Sequence, residues 1–276
     1  MLATAVIVFR EVLEAALIIG IVLAATRGVA GRAMWVANGI AAGLVGAIVV
    51  AIFAGAIASA ASGMGQEIFN AIVLLIAVSM LGWHNIWMKR HGREMSISMK
   101  LVGQAVRGGA KPMYVLAVVV GLAVLREGAE VVLFLHGVAA SAANSAGSIA
   151  AGSAVGLALG TAMGGLLYFG LLRIPSRYLF SVTGWLILLV AAGMAAQAAA
   201  FLVQADLLPA LGDTLWDSSS LVSDGSLVGK SLHALVGYTA RPSGIQLVFY
   251  AVTIAVIVAL MRLANGARRD TAVSTS

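Results

Sequence analysis

The sequence predicts an all-α polytopic membrane protein: seven transmembrane helices, built as a 3+3 inverted-topology repeat plus one additional helix, with the N-terminus outside and the C-terminus cytoplasmic. Three observations lead there. The 276 residues are 61% hydrophobic and only 10% charged, where soluble domains run to roughly half apolar and a quarter charged. Apolar runs of about 20 residues, long enough to cross the hydrocarbon core as helices, recur along the chain. Finally, the short charged pattern Arg10-Glu11-Val12-Leu13-Glu14 returns as Arg126-Glu127-Gly128-Ala129-Glu130, each copy in the middle of otherwise apolar sequence.

The first run, near residues 4–25, follows Met1 with no basic leader, so it is expected to stay in the mature protein as a span. The second, 35–58, carries Gly39 and Gly43 four residues apart, and the third, 67–88, opens on Glu67 and holds His84 beside Trp83. The fourth, 112–138, carries the second charged pattern and His136. The fifth, 148–172, has Gly152, Gly156, Gly160 and Gly164 at intervals of four, a spacing that lets membrane helices approach closely. The sixth covers 179–203, with Gln197 and Gln204 on similar faces, and the seventh covers 245–264. Residues 1–276 thus read as a single transmembrane domain: repeat one about 1–90, repeat two about 112–203, an outer acidic loop 204–244, helix seven and a cytoplasmic tail 265–276.

Basic residues set the orientation. The first, third and fifth connections carry Arg27 and Arg32, then Lys89, Arg90, Arg93, Lys100, Arg107 and Lys111, then Arg173 and Arg177, and the tail adds Arg268 and Arg269. The opposite side has Lys230 and Arg241 in a loop that also holds Asp206, Asp213, Asp217 and Asp224. The positive-inside bias therefore places the acidic loop outside. It also explains the net charge of +6 without a nucleic-acid partner; the partner is the lipid bilayer. The two patterns are 116 residues apart, each on the first helix of a group of three, so the second copy is inverted relative to the first. In such repeats, sites form near the midplane where the copies meet.

Charges at that depth cost roughly 2.5–3.5 kcal/mol each even on lenient scales, and the default explanation is an ion pathway. Residues three or four apart share a helix face, so Glu11 and Glu14 project together with Arg10, as do Glu127 and Glu130 with Arg126. Each group has net charge minus one, and the two together suit a divalent or trivalent cation. Cysteine is absent, so thiolate sites and disulfides are excluded, and carboxylate oxygen favours hard ions such as Fe(III), Mn(II), Ca(II) and Mg(II). Guanidinium has no free lone pair, so the arginines act as supporting charges rather than ligands.

Two R-E-x-x-E patterns on helices one and four of a seven-helix chain resemble the oxidase-dependent iron transporter family, which spans fungal high-affinity iron permeases and bacterial EfeU-like iron permeases. The resemblance covers essentially the whole chain and extends to Leu215-Trp216-Asp217, His233 to Tyr238 and Arg241-Pro242-Ser243-Gly244, which look like the bacterial branch. It implies a non-enzymatic high-affinity permease of a bacterial cytoplasmic (inner) membrane, with no permanent cofactor. The iron ion would be the transported substrate, imported as Fe(III) after oxidation by an extracytoplasmic iron oxidase or delivered by an iron-binding protein. It further implies that Glu11, Glu14, Glu127 and Glu130 bind the metal. The second pattern departs in having Ala129 where Leu13 stands, with its charged positions intact.

Asp217, Glu67, His136 and His84 are further candidates. Each histidine is either a ligand or a packing residue, Glu67 a helix-terminal carboxylate or an outer ligand, and Asp217 a cation-gathering or oxidase-docking acid or an ordinary loop acid. Met64 is too soft a donor for Fe(III). Trp35, Trp83, Trp87 and Trp185 read as an interfacial belt. Other readings are a permease for another metal, Mn or Pb, a membrane metalloenzyme, and an ion-paired scaffold. The metalloenzyme lacks the Glu-x-x-His pairing of helical di-iron sites.

Overall fold

A computed structural model describes residues 1–61, 65–140, 145–170 and 176–273. Met64 and Arg173 lie outside the described residues, as do the side chains of Lys89, Arg90, Arg93, Arg177, Lys230, Arg268 and Arg269. The described elements are α1 Leu2–Ala25, α2 Arg32–Ala61, α3 Gln66–Arg107, α4 Tyr114–Ala140, α5 Ala146–Tyr168, α6 Ser176–Gln204, α7 Leu227–Val236 and α8 Gly244–Val273.

Among the described residues, five stretches are long and apolar enough to cross a membrane: Arg32–Ile57, Gln66–Met88, Ala146–Tyr168, Ser181–Gln204 and Gly244–Leu263. The helices α1 and α4 are of comparable length, 24 and 27 residues, and each carries its three charged pattern residues near its middle. Large apolar side chains face outward instead of being hidden, as lipid contact requires. The helix α2 exposes Leu44, Val45, Ile48, Ile52 and Phe53, and α8 exposes Val248, Val252, Val256 and Leu260 along one stripe. The fold is that of a multi-pass helical membrane protein.

With lipid as apolar as the side chains, helix association rests on close packing of small residues. The most extensive contacts pair α1 with α5 and α4 with α2, followed by α3 with α6. Glycine makes both of the first two seams. A Cβ on Gly156 would sit 2.6 Å from the Ala5 carbonyl oxygen and 2.9 Å from Val8 Cβ, and one on Gly43 would sit 2.7 Å from the Gly121 carbonyl oxygen and 2.7 Å from Val124 Cβ. The core between α1, α3, α4 and α6 is closed by Ile7, Leu74, Leu81, Phe134, Ile187 and Leu188.

Two elements differ from the sequence expectation. The helix α3 does not end at residue 88 but runs 42 residues, roughly 63 Å at 1.5 Å per residue. The charged residues after 88 lower hydropathy without breaking a helix, since Lys, Arg, Glu, Met and Leu are good helix formers. Val106 and Met99 on this extension then pack against Val22, Val36, Leu116 and Val120. The connection 205–243 is not plain loop either. It contains α7, capped by Ser226 Oγ accepting from the Gly229 N–H (2.9 Å) and stopped by Gly237 at φ 69°. A positive φ there costs glycine nothing.

Candidate metal centre

The charged pattern folds as expected within each helix. Arg10 Nε donates to Glu14 Oε1 at 2.9 Å and Arg126 Nε to Glu130 Oε1 at 3.1 Å, both one turn apart. That leaves Glu11 and Glu127, the first glutamate of each pattern, without hydrogen bonds: all four of their carboxylate oxygens are buried with no partner among the described residues. Each arginine only brushes its neighbour, Arg10 Nη1 lying 3.9 Å from Glu11 and Arg126 Nε 3.8 Å from Glu127. Removing a charge from water costs several kcal/mol even after relaxation, so two such carboxylates call for a cation or for protons.

The structure brings α3 in beside the two pattern helices, and with it His84, 3% exposed. Its Nδ1 meets Glu130 Oε2, while Nε2 lies 3.7 Å from Glu11 Oε2 and 3.5 Å from Glu14 Oε2. One donor atom from each of Glu11, His84, Glu127 and Glu130 lies within 4.8 Å of all the others. Donors on opposite sides of a cation sit roughly 4–4.5 Å apart, given bonds of about 2.0–2.2 Å, so a small contraction closes this set around one ion. Glu14 is adjacent to the four but turned toward Arg10.

The remaining candidates are elsewhere. The ring of His136 is turned to its own helix, Nδ1 lying 2.9 Å from the Val132 carbonyl oxygen. Glu67 is exposed in the first turn of α3, where the helix dipole favours a carboxylate. Asp217 lies in the 205–243 connection, accepting from the Ser219 N–H at 2.9 Å and pairing with Arg241 at 3.0 Å. Hydrogen bonds from Ser219, reinforced by Arg241, hold its carboxyl below the ordinary range. Asp224 likewise accepts from the Ala240 N–H at 2.9 Å. These two acids fasten their own loop.

Trp83 and Trp87 lie close to the end of the apolar stretch Gln66–Met88, and both line a cavity of about 600 Å³ between α3 and α4, together with Met80, His84, Arg126 and Glu130. The Arg126 guanidinium lies over the Trp87 ring, 4.1 Å from its centroid. The sequence reading places Trp87 in the belt and does not foresee its contact with Arg126, which depends on which helix α3 packs against.

Carboxylates and an imidazole meet here where the helices of a multi-pass membrane protein cross, a donor set able to hold a cation. The chain belongs to the Iron permease FTR1 family, whose profile matches residues 1–266. It is 33% identical over 242 residues to the ferrous iron permease EfeU of Escherichia coli O6:H1, covering 86% of each chain. It is similarly 32% identical to the protein of that name from Escherichia coli O157:H7, again over 86% of each chain. With its Yersinia pestis counterpart it shares 29% identity over 86% of this chain and 84% of the other. No solved structure matches the chain.

Proposed function

We propose that this chain imports iron across the bacterial inner membrane through a single site built from Glu11, His84, Glu127 and Glu130. The observation that carries the reading is the convergence of these four donors within 4.8 Å, three of them buried and Glu130 half-buried. Arg10 and Arg126, paired with Glu14 and Glu130, balance two of the four glutamate charges; those of Glu11 and Glu127 are left to face the incoming ion. The dominant oxygen donors suit Fe(III), the form expected after oxidation by an extracytoplasmic oxidase. A second reading, Fe(II), is favoured by the imidazole, which is a good donor for first-row metals, and by the ferrous iron in the names of the relatives.

The seven-span, inverted-repeat reading is supported by matching contacts in the two halves. Gly39 and Gly43 on α2 meet Val120 and Val124 on α4, while Gly152 and Gly156 on α5 meet Thr4 and Val8 on α1. The contacted residues are 116 positions apart and the glycines 113, so each seam repeats the other. The pattern residues are also 116 apart, and Glu11 and Glu127 both fall near the middle of their helices. Helix α8 is the additional span, and alternating exposure of the site to the two sides would move the ion.

Uptake of radioactive iron into reconstituted vesicles tests the site. Glu11→Gln and Glu127→Gln are expected to remain folded and to lose uptake by roughly tenfold or more, the scale seen when metal-site groups are altered. If both variants transport at the wild-type rate, the site is wrong. Repeating the assay with iron held ferrous by a reductant, and then with a ferrous-specific chelator present, separates the two oxidation states. Manganese and lead in the same vesicles test selectivity.

A further inference from the structure

The two halves are unequal around the cluster. On α3 the sequence Ser79-Met80-Leu81-Gly82-Trp83-His84 has a counterpart 102 residues later on α6, Ser181-Val182-Thr183-Gly184-Trp185-Leu186. The halves thus share the serine, the glycine and the tryptophan, but where one has His84 and Trp87 the other has Leu186 and Leu189. The structure carries the same contrast. The groove between α3 and α4 reaches Glu130, Arg126 and His84. The matching groove of about 480 Å³ beside α1 and α6 is lined by Val6, Phe9, Leu159, Val182 and Leu186, and neither Arg10 nor Glu14 lines it. Accordingly the Arg10 side chain is 3% exposed and that of Arg126 35%.

A guanidinium open to lipid at the depth of a membrane site is unfavourable, and water in the α3–α4 cavity would relieve that cost. Its volume of about 600 Å³ is far more than a single water needs. From this we infer that the α3–α4 cavity is the hydrated route by which the cation reaches or leaves the cluster, with Glu130 the first carboxylate it meets and Trp87 a positioning residue that holds Arg126 against the wall. The α1–α6 groove is its dry counterpart. Among the described residues lining the cavity Arg126 is the permanently charged cation, and a passing metal ion is repelled by it unless it is kept aside. Its guanidinium rests on the Trp87 face at 4.1 Å, and the His91 ring stacks with Trp87 at 5.2 Å. The negative face of the indole ring attracts the guanidinium and gives it a fixed resting place.

The inference rests on the reading that the cluster binds the transported iron, and the experiment separates the two. The chain has no cysteine, so single cysteines can be introduced directly. Met80→Cys should react with a positively charged, membrane-impermeant thiol reagent from one aqueous side in vesicles of defined orientation. Iron should slow that reaction, and modification should reduce uptake. Val182→Cys, its counterpart in the apolar groove, should remain unreactive. Trp87→Leu should lower the maximal uptake rate about tenfold without raising the KM for iron, and Trp87→Phe, which keeps a ring face, should stay within about twofold of wild type. Equal reactivity of Met80→Cys and Val182→Cys, or equal rates for Trp87→Leu and wild type, overturns the route. Should that happen while Glu11→Gln and Glu127→Gln still abolish uptake, the route alone fails; if those variants transport normally, the site itself fails.

Discussion

Arg10 and Glu14 form a pair with almost no water around it, 3% and 2% exposed, whereas Arg126 and Glu130 are 35% and 15% exposed. The same two-residue change should therefore have different consequences in the two halves. Breaking a buried pair by removing one partner costs roughly 3–5 kcal/mol, because the other charge is left unpaired. Arg10→Gln is expected to destabilise the protein on that scale, and the double variant Arg10→Gln with Glu14→Gln to recover most of the loss. Arg126→Gln should cost clearly less, since water reaches its partner. Thermal unfolding in detergent, run as a double-mutant cycle, reads all three. In the 205–243 connection, Asp217 contributes through its carboxylate form, whose pKa is lowered in the folded protein. Its contribution is present above the ordinary carboxylate pKa of roughly 4 and is lost as pH falls through the lower folded value. Amide exchange at Ser219 should accordingly stay slow, relative to the unprotected rate, from pH 7 to about 5, and protection should fall only well below that. At this scale the charged residues were legible because ionisable groups stand out against apolar sequence. His84 could be named from the sequence, yet its place between the two patterns could not, since only tertiary packing puts α3 against α1 and α4.

Glycine positions decide how tightly the long helices run together, and they differ sharply from one another. Gly156 and Gly43 face backbone and β-branched side chains at less than 3 Å from any added Cβ, whereas Gly165 on α5 has nothing within 4 Å. Gly156→Leu and Gly43→Leu should each lower the melting temperature and reduce uptake, by forcing α1 from α5 or α4 from α2. Gly165→Ala should be neutral, or stabilising by up to about 1 kcal/mol through helix propensity. Within the pattern itself the seam exchanges partners. Gly160 makes room for Val12 in one half, and in the other Gly128 makes room for Ala47, so the glycine lies on α5 in the first case and on α4 in the second. The departure from Val12 to Gly128 is a packing exchange, and Ala129 in place of Leu13 accompanies it. Hydropathy located α1 through α6 and α8, because apolar length is what a bilayer demands. It did not reveal α7 or the second half of α3, since a ten-residue helix in a polar connection and a basic helical extension both resemble loops by hydropathy. Their signals, the Ser226 cap and an unbroken run of helix formers after residue 88, are local and weaker.

The whole molecule pairs α1 with α5 and α4 with α2 through repeated contacts, and on the proposed reading an odd number of spans in each group inverts one half against the other. That arrangement fixes which connections share a side. The turn between α3 and α4 lies between Arg107 and Lys111, while the connection between α6 and α8 carries Asp206, Asp213, Asp217 and Asp224. The basic turn is expected in the cytoplasm and the acidic connection outside. Ala110 and Ser220 are both exposed and the chain has no native cysteine, so Ala110→Cys and Ser220→Cys report on the two sides without background. Intact cells treated with an impermeant maleimide should label Ser220→Cys and leave Ala110→Cys unlabelled until the membrane is opened. Labelling of both in intact cells, or of Ala110→Cys alone, would contradict the orientation and with it the inversion of the two halves. The orientation also sets the driving force. With the acidic connection outside, an inside-negative potential draws the cation inward at about 2.3 kcal/mol per charge per 100 mV, near 7 kcal/mol for a trivalent ion moving without a counter-charge. Initial uptake into oriented vesicles should therefore rise when an inside-negative potassium diffusion potential is imposed and fall when it is reversed; an unchanged rate would mean that compensating charge moves with the ion.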